Sequence, residues 1–252
     1  MDPLYRELFR DMERDHFWFV SRRRLLRRLI AGLGDFRGKC LLDVGCSTGI
    51  FLQELHSSGF EDLSGIDIDK DSIRQACSLG LFHAEVMDVG SLSFSDNSFD
   101  LVIASDVLEH IRDDRRALLE LARVMKLNGT LIACVPAFPF LWSHHDAVNM
   151  HFRRYTRSGF LGSLRKAGIS VDFISFTNAT LFLPALALRA VKPILGFPPT
   201  VTELRRSSKV LDRLMRCILN VEGVLVSKGF RLPVGLSLVA IARKTAQQMS
   251  AQ

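Results

Sequence analysis

Short apolar runs alternate with longer amphipathic stretches from residue 39 onward, a rhythm that predicts strands separated by helices. The strand candidates are CLLDV (40–44), LSGID (63–67), LFHAEVMD (81–88), LVIAS (101–105), GTLIACVP (129–136), ISVDFIS (169–175) and LSLVAIAR (236–243). Between them, IFLQELHSS (50–58), KDSIRQACSLG (70–80), residues 112–126 and TRSGFLGSLRKAG (156–168) read as helices. Gly80 and Gly168 supply stop signals, and Thr156 or Ser158 supplies a cap. Short, nearly continuous apolar strands with intervening helices argue for a mostly parallel sheet covered on both faces. The predicted fold is therefore a doubly wound α/β sheet.

Two segments break the rhythm and set the domain parse: an N-terminal helical lid (1–38), a core (39–175), a helical insertion (176–234), and a final strand with its tail (235–252). In the lid, Leu25, Leu26, Leu29, Ile30 and Leu33 recur at helical spacing. Arg22, Arg23, Arg24, Arg27 and Arg28 are expected on the other side, in water or against an anionic surface. The insertion opens with NATLFLPALALRAVKPILGF (178–197), where Pro184, Arg189 and Lys192 argue against a spanning helix. Its Leu181, Phe182, Leu186, Leu188, Val191, Ile194, Leu195 and Phe197 suit a pocket lid, a dimer face or an interfacial segment. Further on, Leu211, Leu214, Met215, Ile218, Leu219 and Leu225 are expected to be buried. Arg205, Arg206, Lys209, Arg213 and Arg216 form a basic counter-face compatible with an anionic membrane or lipid-linked substrate.

Composition narrows the classes. At 252 residues, with 48% hydrophobic and 24% charged positions, the chain is too apolar for a disordered tail and too charged for a membrane bundle. Mean hydropathy of +0.16 and 18 phenylalanines leave an apolar excess that the insertion would absorb. Five scattered cysteines without a C-x-x-C argue against a disulfide scaffold or structural zinc and for a reducing compartment. The opening MDPLYRELFRDMERDHFWF alternates charges too closely for a secretory signal, so a cytoplasmic location is expected, with peripheral contact at the inner membrane face as an option. Net charge of +6 permits an anionic partner. Nucleic acid is not expected, because no basic-aromatic footprint extends beyond the lid.

The strongest local signal is Asp43-Val44-Gly45-Cys46-Ser47-Thr48-Gly49, between a strand and a helix. Glycines there let a ligand approach the backbone, and the helix start offers free N–H groups. No lysine follows, which excludes a Walker A loop, and Ile50 replaces the third glycine of a dinucleotide fingerprint. A cationic adenosine ligand fits better. Asp43 could orient the turn or attract positive charge, Asp67 at the second strand tip could accept ribose hydroxyls, and Asp88 could accept from an adenine amino group.

LLDVGCSTG, GIDIDKDSI, AEVMDVGSLSFSDNSFDLV and DVLEHI, in this order, resemble class I S-adenosylmethionine-dependent methyltransferases of the small-molecule, type 11-like group. The resemblance covers residues 39–175 and extends to the final strand. It implies a Rossmann-like sheet of seven strands in the order 3-2-1-4-5-7-6, with only the seventh antiparallel. It implies S-adenosyl-L-methionine as cofactor, with Asp43, Gly45 and Gly49 at the methionine portion, Cys46 also among the cofactor-binding residues, and Asp67 at the ribose. Asp88 and Val89 would touch adenine, and Ile68 and Ser105 complete the set. Two departures stand out: Ser47 replaces the middle glycine and is acceptable if its φ is negative, and Lys126-Leu127-Asn128-Gly129 replaces K-P-G-G, where Asn128 tolerates left-handed geometry.

After the fifth strand, PAFPFLWSHHDAVNMHFRRYT (136–156) gathers His144, His145 and His151 near Asp146, Arg153, Arg154 and Tyr155. The block LWSHHD…HFRRYT resembles one found in a bacterial and archaeal subset of these methyltransferases. By that resemblance His145, Asp146, His151, Arg154 and Tyr155 are the active-loop candidates; the residue chemistry suggests His145 or His151 as base and Arg153 or Arg154 for an anionic substrate group, with Trp142 also on the substrate side, walling off water. His144, Asp146 and His151 match no standard zinc spacing, and the arginines oppose a cation, so no metal is expected. The expected activity is methyl transfer to an oxygen or nitrogen of a small or lipid-like acceptor, by a monomer or homodimer. The alternatives are a non-catalytic cofactor-binding module and, further off, a nucleic-acid methyltransferase.

Overall fold

The computed structural model describes residues 9–194 and 208–245. After a helical turn at 9–13 come α1 (Phe17–Leu33), β1 (Leu41–Val44), α2 (Ile50–His56), β2 (Leu63–Asp67), α3 (Lys70–Ser78), β3 (His83–Val86) and β4 (Phe99–Ser105). Then follow α4 (Asp114–Val124), β5 (Met125–Pro136), α5 (His144–Val148), α6 (Arg157–Lys166), β6 (Ile169–Thr177), α7 (Phe182–Ile194), α8 (Lys209–Ser227) and β7 (Ser237–Lys244). The seven strands lie in the order β3-β2-β1-β4-β5-β7-β6. Every pairing from β3 to β5 is parallel, and β7 runs antiparallel to both neighbours. The order and the single reversed strand are those the family resemblance implies.

The alternation of side chains along the strands divides the core in two. Leu42, Val44, Val102, Ala104, Leu131 and Ala133 face α4 and α6, whose Leu118, Leu121, Phe160 and Leu164 cover them. Leu41, Leu101, Ile103, Ile132 and Cys134 face the other way, toward α1, α2 and α3. Central strands buried on both faces explain why the sequence reads as apolar runs rather than strict alternation.

Several expectations shift. The helix expected over 112–126 stops at Val124, because Met125 turns extended (ψ 137°) and pairs with Phe99 on β4. Lys126 Nζ then binds Asp100 Oδ2 at 2.7 Å, so β5 begins four residues before the expected Gly129. Asn128 takes the left-handed conformation (φ +63°) that the turn requires. The third strand is shorter than 81–88, and β6 runs two residues past 175.

The arginine cluster of α1 is not one exposed face. Arg22 and Arg23 are buried with Leu25, Leu26, Leu29 and Ile30. Arg23 Nε binds Glu54 Oε1 at 2.9 Å, while Arg24 and Arg27 stay exposed. Helix α8 packs on α1: the Phe17 N–H donates to Asp212 Oδ1 (2.8 Å), and Arg28 Nη2 to Asn220 Oδ1 (2.6 Å). Its buried stripe is Leu219, Glu222, Gly223 and Val226, and Leu211, Leu214 and Leu225 are exposed, against expectation. Packed mainly on α1, with Val226 reaching the core, α8 buries only this narrow stripe. Glu222 is tied inward because it accepts from the N–H groups of Ala179 (2.9 Å) and Thr180 (2.7 Å) at the start of the insertion. Leu195, Phe197, Arg205 and Arg206 lie outside the described residues. Among the described residues no helix is long and apolar enough to cross a membrane, and all five cysteines are free.

Gly65 in β2 shows how tightly the turn side of the sheet is packed: a Cβ there would lie 2.6 Å from Leu52 Cδ1 and 2.7 Å from Cys46 Sγ. Gly65→Ala is expected to cost about 1–3 kcal/mol by overpacking. Gly162→Ala, in open space on α6, is expected to stabilise by about 0.5–1 kcal/mol. Urea denaturation at equilibrium measures both.

Candidate active site

The carboxyl ends of the parallel strands form one edge, where doubly wound sheets take their ligands. At the tip of β1 the chain reverses through residues 45–49, and Gly45, Ser47 and Gly49 adopt φ of +75°, +49° and +80°. The Gly45 and Cys46 N–H groups both donate to Ile66 O, at 2.8 and 3.0 Å, tying the turn to β2. A Cβ on Gly45 would lie 2.4 Å from Val107 Cγ2, so glycine is required there for space as well as conformation. Ser47 is a correction: its φ is positive, not negative. The cost for an L-residue, about 1–2 kcal/mol, is offset by two hydrogen bonds, from its N–H to Asp67 Oδ2 (3.0 Å) and from its hydroxyl to Glu13 Oε2 (2.8 Å). The Cys46 side chain points into the core against Gly65, which leaves its backbone to the turn.

Three carboxylates surround this turn. Glu13 Oε2 also accepts from Thr48 Oγ1 (2.8 Å) and the Thr48 N–H (3.4 Å). Glu13 and Asp43 are 7% and 5% exposed. Burial pushes the pKa of Glu13, Asp43 and Asp67 upward, and Asp43 is raised further by the charges of Glu13 and Asp67. Such a cluster favours a positively charged ligand, whose arrival would relieve the repulsion. Asp67 Oδ1 accepts from the Asp69 N–H at 2.8 Å, and Ile68 beside it is 69% exposed. One strand over, Asp88 is exposed and accepts from the Gly90 N–H (2.8 Å), and Val89 is buried. Ser105, at the tip of β4, donates to Asp106 Oδ2 at 3.0 Å.

Helix α1 roofs this edge. Arg22 Nη2 donates to Asp106 Oδ1 (3.2 Å) and Ser237 Oγ (3.0 Å), clamping the helix onto the ends of β4 and β7. Arg22 and Glu13 were both missed in the sequence. Position 22 extends the stripe 25-26-29 back by one turn, a signal obscured by its neighbouring arginines. Glu13 carries no such signal.

The loop after β5 folds back on itself. Phe138 N–H donates to Tyr155 O and Tyr155 N–H to Pro136 O, both at 2.9 Å. Asp146, fully buried, accepts from His151 Nδ1 (2.9 Å), Arg154 Nε (2.8 Å) and the Ser143 N–H (2.8 Å). Burial opposes its ionisation, but the His151 and Arg154 contacts outweigh it and hold the carboxyl well below the usual range. Arg154 also reaches Ala137 O (3.2 Å); Arg153 binds Asp114 (2.6 Å), and Tyr155 OH donates to Asp114 Oδ2 (2.8 Å). The structure thus brings His145 and His151 together, with ring centroids 6.2 Å apart, and engages Asp146, Arg153, Arg154 and Tyr155 in holding the loop. Trp142 is 44% exposed. His144 lies outside the cluster; His151 instead meets His110, whose burial and proximity to His151 push its pKa down to about 3.

Removing the buried charge tests this arrangement. Asp146→Asn leaves Arg154 buried without its counter-ion and is expected to cost about 3–5 kcal/mol. The native pKa lies below the unfolded one, so Asp146 stabilises above about pH 5 and its contribution fades as pH falls below about 4. Calorimetric melting should therefore show a Tm gap between wild type and variant that narrows in acid.

The comparisons agree with this geometry. The methyltransferase domain family matches residues 42–133. An O-methyltransferase of Penicillium expansum is 33% identical over 116 residues, 43% of this chain and 42% of the relative. A ubiquinone biosynthesis O-methyltransferase of Neisseria meningitidis is 29% identical over 111 residues, 40% of this chain and 45% of the relative. This chain spans about half the length, or less, of these curated relatives. The methyltransferase solved with the Trm112 activator of Haloferax volcanii superposes with a TM-score of 0.63 at 16% identity, covering 96% of this chain and 95% of that one. The [4+2]-cyclase SpnF superposes at 0.55, with 21% identity and coverage of 83% and 75%. The strands take the order expected of the class I S-adenosylmethionine-dependent methyltransferase fold, and residues 42–133 resemble the methyltransferase domain family.

Proposed function

We propose that the protein transfers a methyl group from S-adenosylmethionine to an oxygen of a small, largely apolar acceptor. The reading is carried by the meeting of two halves on one edge: an acid-ringed glycine turn suited to a sulfonium, and a histidine-bearing loop from the neighbouring strand end. The O-methyltransferases among its relatives favour oxygen over nitrogen. In this reading Asp43, the 45–49 turn and Glu13 hold the methionine end, Asp67 the ribose, and Ile68, Asp88 and Val89 the adenine.

The bound cofactor supplies an electrophilic methyl group. On the acceptor side, His151 or His145 removes the hydroxyl proton; His151 is held by Asp146, which fixes its ring. Arg154 acts one step back, by fixing Asp146. Trp142 and Phe140 are left to meet the apolar body of the acceptor, beside the exposed Leu183, Leu186 and Leu188 of α7. That apolar surface is also the basis for a lipid-like acceptor presented at a membrane.

Calorimetric titration with S-adenosylmethionine tests the first half. Wild type is expected to bind one equivalent, and Asp67→Ala to weaken binding by at least about tenfold, the equivalent of roughly 1.4 kcal/mol for two lost hydroxyl contacts. No binding by folded wild type, or unchanged affinity in the variant, would reject the assignment. A panel of phenols, hydroxy acids and amines, read by released S-adenosylhomocysteine, tests the second half; turnover confined to amines would reject oxygen as acceptor.

A further inference from the structure

Beyond methyl transfer, one cluster on this edge has the makings of a metal site. Glu109 and His110 follow β4, and His151 comes from the loop after β5. Each offers one ligand atom, and the three atoms lie within 4.8 Å of one another. Among the described residues this is the one grouping of three such side chains. We propose that Glu109, His110 and His151 bind a divalent first-row transition-metal ion, of which Zn²⁺ is the representative.

Three observations carry this. Glu109 is 1% exposed, and its Oε2 has no hydrogen-bond partner, an expensive arrangement for a buried carboxylate that has nothing to bind. Both imidazoles are held through one nitrogen: His151 Nδ1 by Asp146 at 2.9 Å, and His110 by the backbone of Asn149. That leaves one nitrogen of each ring for a ligand, and a carboxylate or carbonyl behind a histidine is the usual support of a metal-binding ring. Finally, the neighbouring cations are already neutralised: Arg22 is paired with Asp106, Arg154 with Asp146, and Arg153 with Asp114. The arginines that seemed from the sequence to oppose a cation are therefore each paired with another acid, and Glu109 Oε2 is left without a hydrogen-bond partner.

Two nitrogens and one oxygen suit Zn²⁺, Co²⁺ or Fe²⁺ better than Mg²⁺ or Ca²⁺. Ligand atoms in a tetrahedral zinc site stand about 3.3 Å apart, so side-chain rotations of about an ångström would close the triangle. Three protein ligands leave at least one position open, as in sites that take water or a substrate oxygen rather than purely structural ones. The site rests on these side chains alone; with the free nitrogen of His151 on the metal, proton removal in the methyl-transfer reading falls to His145.

The test uses the full chain, stripped with chelator and titrated with Co²⁺, followed by its visible d–d bands and by displacement with Zn²⁺. One equivalent is expected to bind with the spectrum of four- or five-coordinate Co²⁺, and Zn²⁺ to raise the Tm. Glu109→Gln and His151→Gln should each weaken binding by more than about tenfold, and Asp146→Asn by about 10–100-fold through the ring it holds. His144→Gln, on the exposed part of the same loop, should change nothing. Absence of stoichiometric Co²⁺ binding would overturn the proposal, as would binding that survives in both Glu109→Gln and His151→Gln or is lost in His144→Gln. If Glu109→Gln fails to fold, as a buried position can, His151→Gln with the Zn²⁺-dependent Tm of wild type decides alone.

Discussion

Repulsion among buried carboxylates at the tip of β1 is the constraint on which the rest of the site depends. Glu13, Asp43 and Asp67 come from three separated parts of the chain, yet all border the turn 45–49. Left alone they destabilise the fold, because burial disfavours each charge and each charge disfavours the next. The turn answers with donors: the Ser47 N–H and hydroxyl and the Thr48 N–H and hydroxyl all point at carboxylate oxygens. What remains unmatched is positive charge, and a sulfonium cofactor carries it. The left-handed backbone at Gly45, Ser47 and Gly49 belongs to the same device, since it aims those donors and keeps Val107 close to the turn.

The same edge shows how the lid and insertion are joined to the sheet. Arg22 fastens α1 to the tips of β4 and β7, and α8 lies across α1 with Glu222 tied to the start of the insertion. The first helix and the late insertion are thus one roof, made of segments at opposite ends of the chain. Much of the apolar excess in the composition stays on the outside of that roof, at Leu183, Leu188, Val210, Leu211, Leu214 and Val221. Across the site, the loop after β5 is held by Asp146, which serves Arg154, His151 and the Ser143 backbone at once.

The sheet was readable from the sequence because its strands are buried on both sides and bounded by turn residues. Asp67 and Gly45 were readable because they sit at fixed offsets from those strand ends. Contacts made between distant segments were not. Glu13 lies 34 residues before Ser47, and nothing in its neighbourhood distinguishes it from a surface acid. Arg22 was hidden by the arginines around it. Leu211, Leu214 and Leu225 have the period of a buried helix, but period reports which residues share a face and not whether anything covers it. Asp146, Arg154 and Tyr155 had the right chemistry for substrate contact, and only the fold shows which protein groups they bond to. At Ser47 the backbone preference of serine points to negative φ, and its hydrogen bonds to Asp67 and Glu13 override it.

The first turn holds acids whose raised pKa values fall when a cation arrives. Titration calorimetry with S-adenosylmethionine near pH 6.5, repeated in buffers of different ionisation enthalpy, measures the protons exchanged on binding. Net proton release is expected in wild type, reduced in Glu13→Gln. Binding with no proton release, or with proton uptake, would contradict it.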